Sequence, residues 1–242
     1  MNQRSATKGR NPKLNVYANM SKTVIIVAGG KGLRMQTEVP KQFIELKGRP
    51  VLMRTIDVFV RYDNCISLIL VLPANQIDFW KQLCKKHQFS VPHTIVEGGE
   101  TRFHSVKNGL KYASDKSLIA VHDGVRPLVS IETIEYCFDA AAQYGNAVPA
   151  VELVDSVRMI KNNGSETVDR NKFRLIQTPQ VFESQLLQRA YEQPFNPSFT
   201  DDASVVEAIG GKIQLVKGNR ENIKITTTID IAIAKCFYET NK

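Results

Sequence analysis

Apolar residues in this chain come in short β-branched runs, separated by amphipathic stretches of helical length. Val24–Val27 is the first run and predicts a strand. Pro50 is placed to open a helix reaching about Arg61, because its fixed φ suits a first helical position. Leu68–Leu72 predicts a second strand, stopped by Pro73. A helix through Ile77–Lys86 and a short strand around Thr94–Val96 follow. Thr101–Ala113 reads as a helix and Leu118–His122 as a fourth strand. Ser130 is a natural cap for a helix running to about Tyr144, and Ala147–Ala150 predicts a further strand. Strands alternating with helices imply βαβ units: an α/β fold with a mainly parallel, twisted sheet flanked by helices.

The rhythm breaks after Val151. Val154–Lys161, the turn Asn162-Asn163-Gly164, and Thr167–Leu175 predict an extended hairpin, an arm covering about residues 152–174. It has too few apolar residues for a core of its own. It reads as a protruding β-arm packed on a partner subunit, or as a flap on the same one. Beyond it the pattern predicts a helix near Glu183–Tyr191, a helix starting at Thr200, a strand at Ile213–Val216 and a last helix from about Thr228. Residues 22–242 thus read as a single domain.

The first strand feeds directly into Ala28-Gly29-Gly30-Lys31-Gly32-Leu33-Arg34-Met35, continued by Pro40-Lys41-Gln42. Glycines let a backbone approach a ligand closely, successive N–H groups can cradle phosphate oxygens, and Arg34 and Lys41 supply full charge. Two familiar phosphate loops fail here. A P-loop needs Ser or Thr after Gly-Lys, and the dinucleotide motif needs glycine where Met35 stands. A nucleoside triphosphate is the expected ligand; a plain glycine turn with solvated cations is the bland alternative.

Composition bounds the rest. A chain of 242 residues can bury the core of one large α/β domain. No apolar run approaches a membrane span. Cys65, Cys84, Cys137 and Cys236 are widely spaced and form no metal-ligand cluster with His87, His93, His104 and His122; reduced thiols in a cytoplasmic protein are expected. Of the net charge of +8, five charges (Arg4, Lys8, Arg10, Lys13, Lys22) lie in residues 1–22 without one acid, leaving +3 elsewhere. Residues 1–21 read as a disordered basic tail. An early translation start with Met20 the true one is favoured, over an organellar transit peptide or a nucleic-acid arm.

Further stretches carry chemistry. Gly98-Gly99-Glu100-Thr101-Arg102-Phe103-His104-Ser105 places glycines before a helix whose first turn bears Arg102 and Ser105, suited to a base edge or phosphate. His122-Asp123-Gly124-Val125-Arg126-Pro127 lies past a central strand, where ligands of open sheets bind. Asp123 there could orient a metal or a ribose hydroxyl; Arg126 reads equally as ligand-binding or as the partner of an acid. Val168-Asp169-Arg170, Thr178-Pro179-Gln180, Thr200-Asp201-Asp202 and Asn222-Ile223-Lys224 together suit a second, monophosphate ligand.

This ordered set resembles the 2-C-methyl-D-erythritol 4-phosphate cytidylyltransferases of the non-mevalonate isoprenoid pathway, a group of sugar- and polyol-phosphate nucleotidyltransferases. The resemblance runs from about Lys22 to the end. It implies a Rossmann-like fold, a homodimer joined by the arm, CTP and methylerythritol phosphate as substrates, and Mg²⁺ or another divalent cation. Arg34, Lys41, Arg170 and Lys224 would be catalytic. Ala28, Gly29, Gly30, Gly32, Gly99, Arg102, Ser105, Asp123 and Gly124 would bind the nucleotide, with Asp123 a candidate metal contact. Ser156, Arg170, Thr178, Thr200 and Lys224 would hold the polyol phosphate, Ser156 and Arg170 reaching across from the partner. Ser156 stands where threonine is usual in the arm, and Val27-Ala28-Gly29-Gly30 where Pro-Ala-Ala-Gly is common. Ala-Gly-Gly also occurs in ribitol 5-phosphate cytidylyltransferases, so that activity and a non-catalytic CTP-binding module are the alternatives. Neither nucleic acid nor membrane is expected as a partner.

Overall fold

The computed structural model describes residues 20–29 and 39–240. Gly30, Gly32 and Arg34, and the basic tail up to residue 19, lie outside the described residues.

Four parallel strands make the centre of the sheet: β1 (Ser21–Val27) runs beside β4 (Ser67–Leu72) and β6 (Ser117–Asp123), and β4 beside β5 (Thr94–Glu97). Between β1 and β4 come the two-residue strands β2 (Glu45–Leu46) and β3 (Arg49–Pro50), paired with each other, and α1 (Val51–Tyr62). α2 (Ala74–Lys86) links β4 to β5, and α3 (Arg102–Leu110) links β5 to β6. α4 (Ile131–Tyr144) leads into β7 (Asn146–Glu152). The chain winds outward from β1 to β5, then crosses back to β6 on the other side of β1. That reversal opens a crevice beyond the carboxyl ends of β1 and β6.

Side chains on the central strands alternate strictly between two cores. Val24 and Ile26 of β1, Leu68, Leu70 and Leu72 of β4, and Leu118 and Ala120 of β6 face the core under α1, α2 and α4. Ile25, Ile69, Val71, Ile119 and Val121 face the opposite core, with α3. Both faces are covered, which is why these strands read as continuous apolar runs.

Beyond β6 the sheet turns antiparallel, and here the sequence expectations need correction. The hairpin is β8 (Val157–Lys161) with β9 (Gly164–Val168) alone. Gly164, at φ 110°, makes its turn. The expected second limb to Leu175 is broken by a 3₁₀ turn at Arg170–Lys172, and β10 (Arg174–Ile176) rejoins the main sheet against β7. A strand absent from the sequence reading, β11 (Gln180–Glu183), inserts antiparallel between β6 and β7. α5 (Ser184–Glu192), α6 (Asp202–Glu207), β12 (Leu215–Lys217, parallel to β7) and α7 (Thr228–Thr240) complete the chain.

Helix limits shift for local reasons. α1 starts at Val51, with Pro50 still extended in β3, and α2 starts at Ala74, directly after Pro73. Thr101 caps α3 through its hydroxyl, and the helix ends at Leu110 rather than Ala113. α6 starts at Asp202, not Thr200; Asp201 caps it and exchanges bonds with Ser204 in a capping box. No helix among the described residues is long and apolar enough to cross a membrane.

Gly109 lets α3 lie close on the sheet: a Cβ there would sit 2.9 Å from Ile25 Cγ2 and 3.1 Å from Val71 Cγ2. Gly109→Val is therefore expected to lower unfolding free energy by about 2–3 kcal/mol through overpacking, read from the urea midpoint at unchanged slope.

Candidate active site

The crevice holds a cavity of about 580 Å³. Its walls are the strand ends and the segments just past them: Val27, Ala28 and Gly29 after β1, Pro73–Gln76 after β4, Gly98–Arg102 after β5, and Asp123 after β6. Lys41 and Lys224 come from elsewhere in the chain. Eight of the residues singled out in the sequence thus meet here: Ala28, Gly29, Lys41, Gly99, Arg102, Ser105, Asp123 and Lys224.

Asp123 organises the floor. Its carboxylate lies 3.0 Å from Arg126 Nε, 3.1 Å from Lys224 Nζ and 3.9 Å from Arg102 Nε. Burial alone would raise its pKa. The three cations outweigh burial and hold the carboxyl well below the usual range. Arg126, left open between two roles in the sequence, serves the acid: it also donates from Nη1 to the Asn222 carbonyl at 2.7 Å.

Arg102 is braced from behind. It forms a two-pronged pair with Asp202, Nη1 to Oδ1 at 3.0 Å and Nη2 to Oδ2 at 2.6 Å, and Tyr191 Oη donates to the same Oδ1 at 2.7 Å. Asp202 is fully buried. Ser105 is similarly committed, accepting from Gly99 N–H at 3.1 Å and donating to the Thr101 carbonyl at 3.0 Å. Gly99 admits no side chain, since a Cβ would sit 2.4 Å from His104 Cβ.

Other sequence candidates lie apart from the cavity wall. Gly124 is buried behind it, where a Cβ would meet Ala28 Cβ at 2.8 Å; its role is close packing of the β6 end on the β1 end. Thr178 is buried, its hydroxyl taking the Asp123 N–H at 3.1 Å. Thr200 is exposed ahead of α6. Ser156 and Arg170 are exposed beside the hairpin, and Arg170 Nη1 donates to the Val154 carbonyl.

The structure adds residues to which the sequence assigned no role. Fully buried Gln42 donates from Nε2 to the Ala28 carbonyl at 2.8 Å and to Gln76 Oε1 at 2.5 Å, tying the start of the glycine loop to α2. The motif Pro40-Lys41-Gln42 was its only signal. Asp202 lay within Thr200-Asp201-Asp202, but nothing local marked it as the partner of Arg102.

As for metal, no group of three His, Cys, Asp or Glu side chains suited to an ion occurs among the described residues. The lining carboxylates are Asp123 and Glu100. This donor set fits a divalent cation that arrives on phosphate oxygens and keeps much of its own water, not a protein cage.

A family model for 2-C-methyl-D-erythritol 4-phosphate cytidylyltransferase matches residues 22–240. The chain belongs to this family. The enzyme of that name from Bacteroides thetaiotaomicron is 56% identical over 214 residues, covering 88% of this chain and 98% of the relative. The one from Geobacillus kaustophilus is 37% identical over 221 residues, covering 89% and 96%. Among solved structures, the 4-diphosphocytidyl-2C-methyl-D-erythritol synthase of Anaerococcus prevotii aligns with a TM-score of 0.77 at 31% identity, covering 91% of this chain and 99% of that one. The Thermus thermophilus cytidylyltransferase gives 0.72 at 30% identity, covering 91% and 100%. The family's α/β fold is the one described here.

Two measurements test the network. Asp202→Asn is expected to cost about 2–3 kcal/mol in denaturant unfolding. That is less than the full cost of a stranded buried charge, because Arg102 is partly exposed and keeps Asp123. His122 is fully buried. Burial first of all, together with the charges of Arg126 and Lys224, lowers its pKa to about 4 from 6.5, against a smaller upward pull from Asp123 and the Arg126 carbonyl. The unfolded chain therefore takes up a proton that the native ring refuses. Stability should fall as pH drops from 6.5 to 4, by at most about 3 kcal/mol from this group. His122→Phe should flatten that window in a pH series of unfolding midpoints.

Proposed function

We propose that CTP and 2-C-methyl-D-erythritol 4-phosphate meet in this cavity and that the chain transfers CMP between them. The single supporting observation is convergence: Lys41, Arg102 and Lys224, far apart in sequence, line one cavity at the strand-order reversal, in a chain of the cytidylyltransferase family. A phosphate oxygen of the polyol phosphate attacks the α-phosphorus of CTP. The bond from that phosphorus to the bridging oxygen breaks, and pyrophosphate leaves with its electron pair. The nucleophile is already an anion, so no side chain need remove a proton. Positioning and charge stabilisation carry the catalysis.

Lys41, with Arg34 from the glycine loop, steadies charge on the triphosphate. Gly29, Gly30 and Gly32 offer backbone N–H groups to its phosphates, and Gly99 and Ser105 line the base side. Lys224, whose side chain is 42% exposed while it rests on Asp123, turns to the incoming monophosphate. A divalent cation such as Mg²⁺, held by the triphosphate with Asp123 as the nearby carboxylate, neutralises phosphate charge when bound. Asp123 meanwhile keeps Arg102 and Lys224 turned inward.

The arm completes the site across a homodimer. Ile160 is 80% exposed near the hairpin tip, and Val154, Met159, Phe173 and Leu175 along the arm and at its base are exposed too, apolar side chains suited to a second copy. Ser156 and Arg170 then serve the partner's polyol-phosphate pocket along with the partner's Thr200, while Thr178, buried behind the cavity wall, supports that pocket through Asp123.

Pyrophosphate release should require CTP plus methylerythritol phosphate and be far slower with ribitol 5-phosphate; equal or reversed rates would reject the assignment. Lys41→Ala should reduce kcat by about 10²–10³, the scale for one preorganised donor. Mixing Lys41→Ala with Arg170→Ala subunits under exchange conditions should restore activity, because one heterodimer site keeps both side chains. No recovery would return Arg170 to its own subunit.

A further inference from the structure

The reaction assigned above leaves one buried, potentially reactive side chain without a part. His122 sits at the end of β6, fully buried, edge-on to Phe59 with ring centroids 4.9 Å apart. Both ring nitrogens are engaged. Nε2 lies 3.1 Å from the Arg126 carbonyl, and Nδ1 lies 3.1 Å from Thr178 Oγ1.

Donor and acceptor rules fix the direction of each bond. A carbonyl only accepts, so Nε2 carries the ring proton. Nδ1 of the neutral ring then accepts, and the Thr178 hydroxyl donates to it. The same oxygen accepts from the Asp123 N–H at 3.1 Å. The Thr178 carbonyl accepts from Asn222 Nδ2 at 2.8 Å, and the Asn222 carbonyl accepts from Arg126 Nη1 at 2.7 Å. The circuit therefore closes: His122, Thr178, Asn222, Arg126 and back to His122. Two of its members adjoin cavity residues in the chain: Asp123 follows His122, and Lys224 lies two residues past Asn222.

We propose that His122 is a positioning residue whose ring, through Thr178 and Arg126, fixes the two loops that present Asp123 and Lys224 to the substrates. The Thr178 hydroxyl spends its only proton on His122 and has none for an anion. Thr178 acts on the second substrate through position: its hydroxyl oxygen holds the Asp123 N–H and its carbonyl holds Asn222 Nδ2. The kinetic side of this inference rests on the cytidylyl-transfer reading; the structural side does not.

The test uses the full chain with His122→Phe, His122→Gln and Thr178→Val, each checked for a cooperative unfolding transition. His122→Phe should raise KM for methylerythritol phosphate by about tenfold, the scale of one buried hydrogen bond, with a smaller rise for CTP. Thr178→Val added to His122→Phe should bring little further loss, because both cut the same circuit. His122→Gln, which can still reach the Arg126 carbonyl, should fall between. Losses that multiply, or equal rises in both KM values, would overturn the proposal. Two readouts need no turnover. In ¹⁵N-histidine spectra at neutral pH, the ring lost in His122→Gln should be the Nε2-protonated tautomer. Amide exchange over residues 219–225 should quicken in His122→Phe while β1 and β4 keep their protection. The opposite tautomer or unchanged exchange would refute the circuit. If the unaltered chain releases no pyrophosphate, the functional reading fails and these two measurements still decide the role of His122.

Discussion

The pocket is organised by one constraint: a carboxylate is buried where a central strand ends, and burial is tolerable only with opposite charge close by. Asp123 answers it with cations from three places, the start of α3, its own turn, and the loop before α7. Two of these cations in turn fix a second segment. Arg102 holds α3 to α6 through Asp202, and Arg126 holds the β6 turn to Asn222. Neutralising one acid thus brings distant segments around one space and leaves positive side chains facing into it.

The sheet supplies the space. Winding outward from β1 and then crossing back to β6 leaves the two strand ends open side by side, with close approaches at Gly124 and Gly99 keeping side chains out of the way. The centre of the parallel half is buried on both faces. The antiparallel half, with β11 wedged between β6 and β7, brings Thr178 against Asp123 and His122. Positioning therefore comes from strands, while the charged side chains that reach into the cavity come largely from loops and helix starts.

Most of the parallel half was legible in the sequence, because Val24–Val27, Leu68–Leu72 and Leu118–His122 are apolar runs bounded by turn residues. β11 was not. It has four residues with polar ends, and its pairing is set by neighbours far away in sequence. β10 read as part of the hairpin for the same reason: Arg174-Leu175-Ile176 looks extended in either place, and only β7 decides. Within the site, glycine and charge patterns picked out eight residues that the fold brings to one cavity. They could not show that Arg102 is tied to an acid 100 positions away, or that Gln42 grips the Ala28 carbonyl. Such roles depend on partners, and a pattern along one segment carries no record of them.

The β8–β9 hairpin leaves the sheet after β7, and the chain returns at once to pair with β7 again through β10. Exit and re-entry are neighbours on one strand, and nearly every residue of the hairpin is exposed. Lengthening, shortening or resurfacing this excursion leaves the interior untouched. Its outline can therefore change without refolding the core, at a cost only to whatever the arm touches.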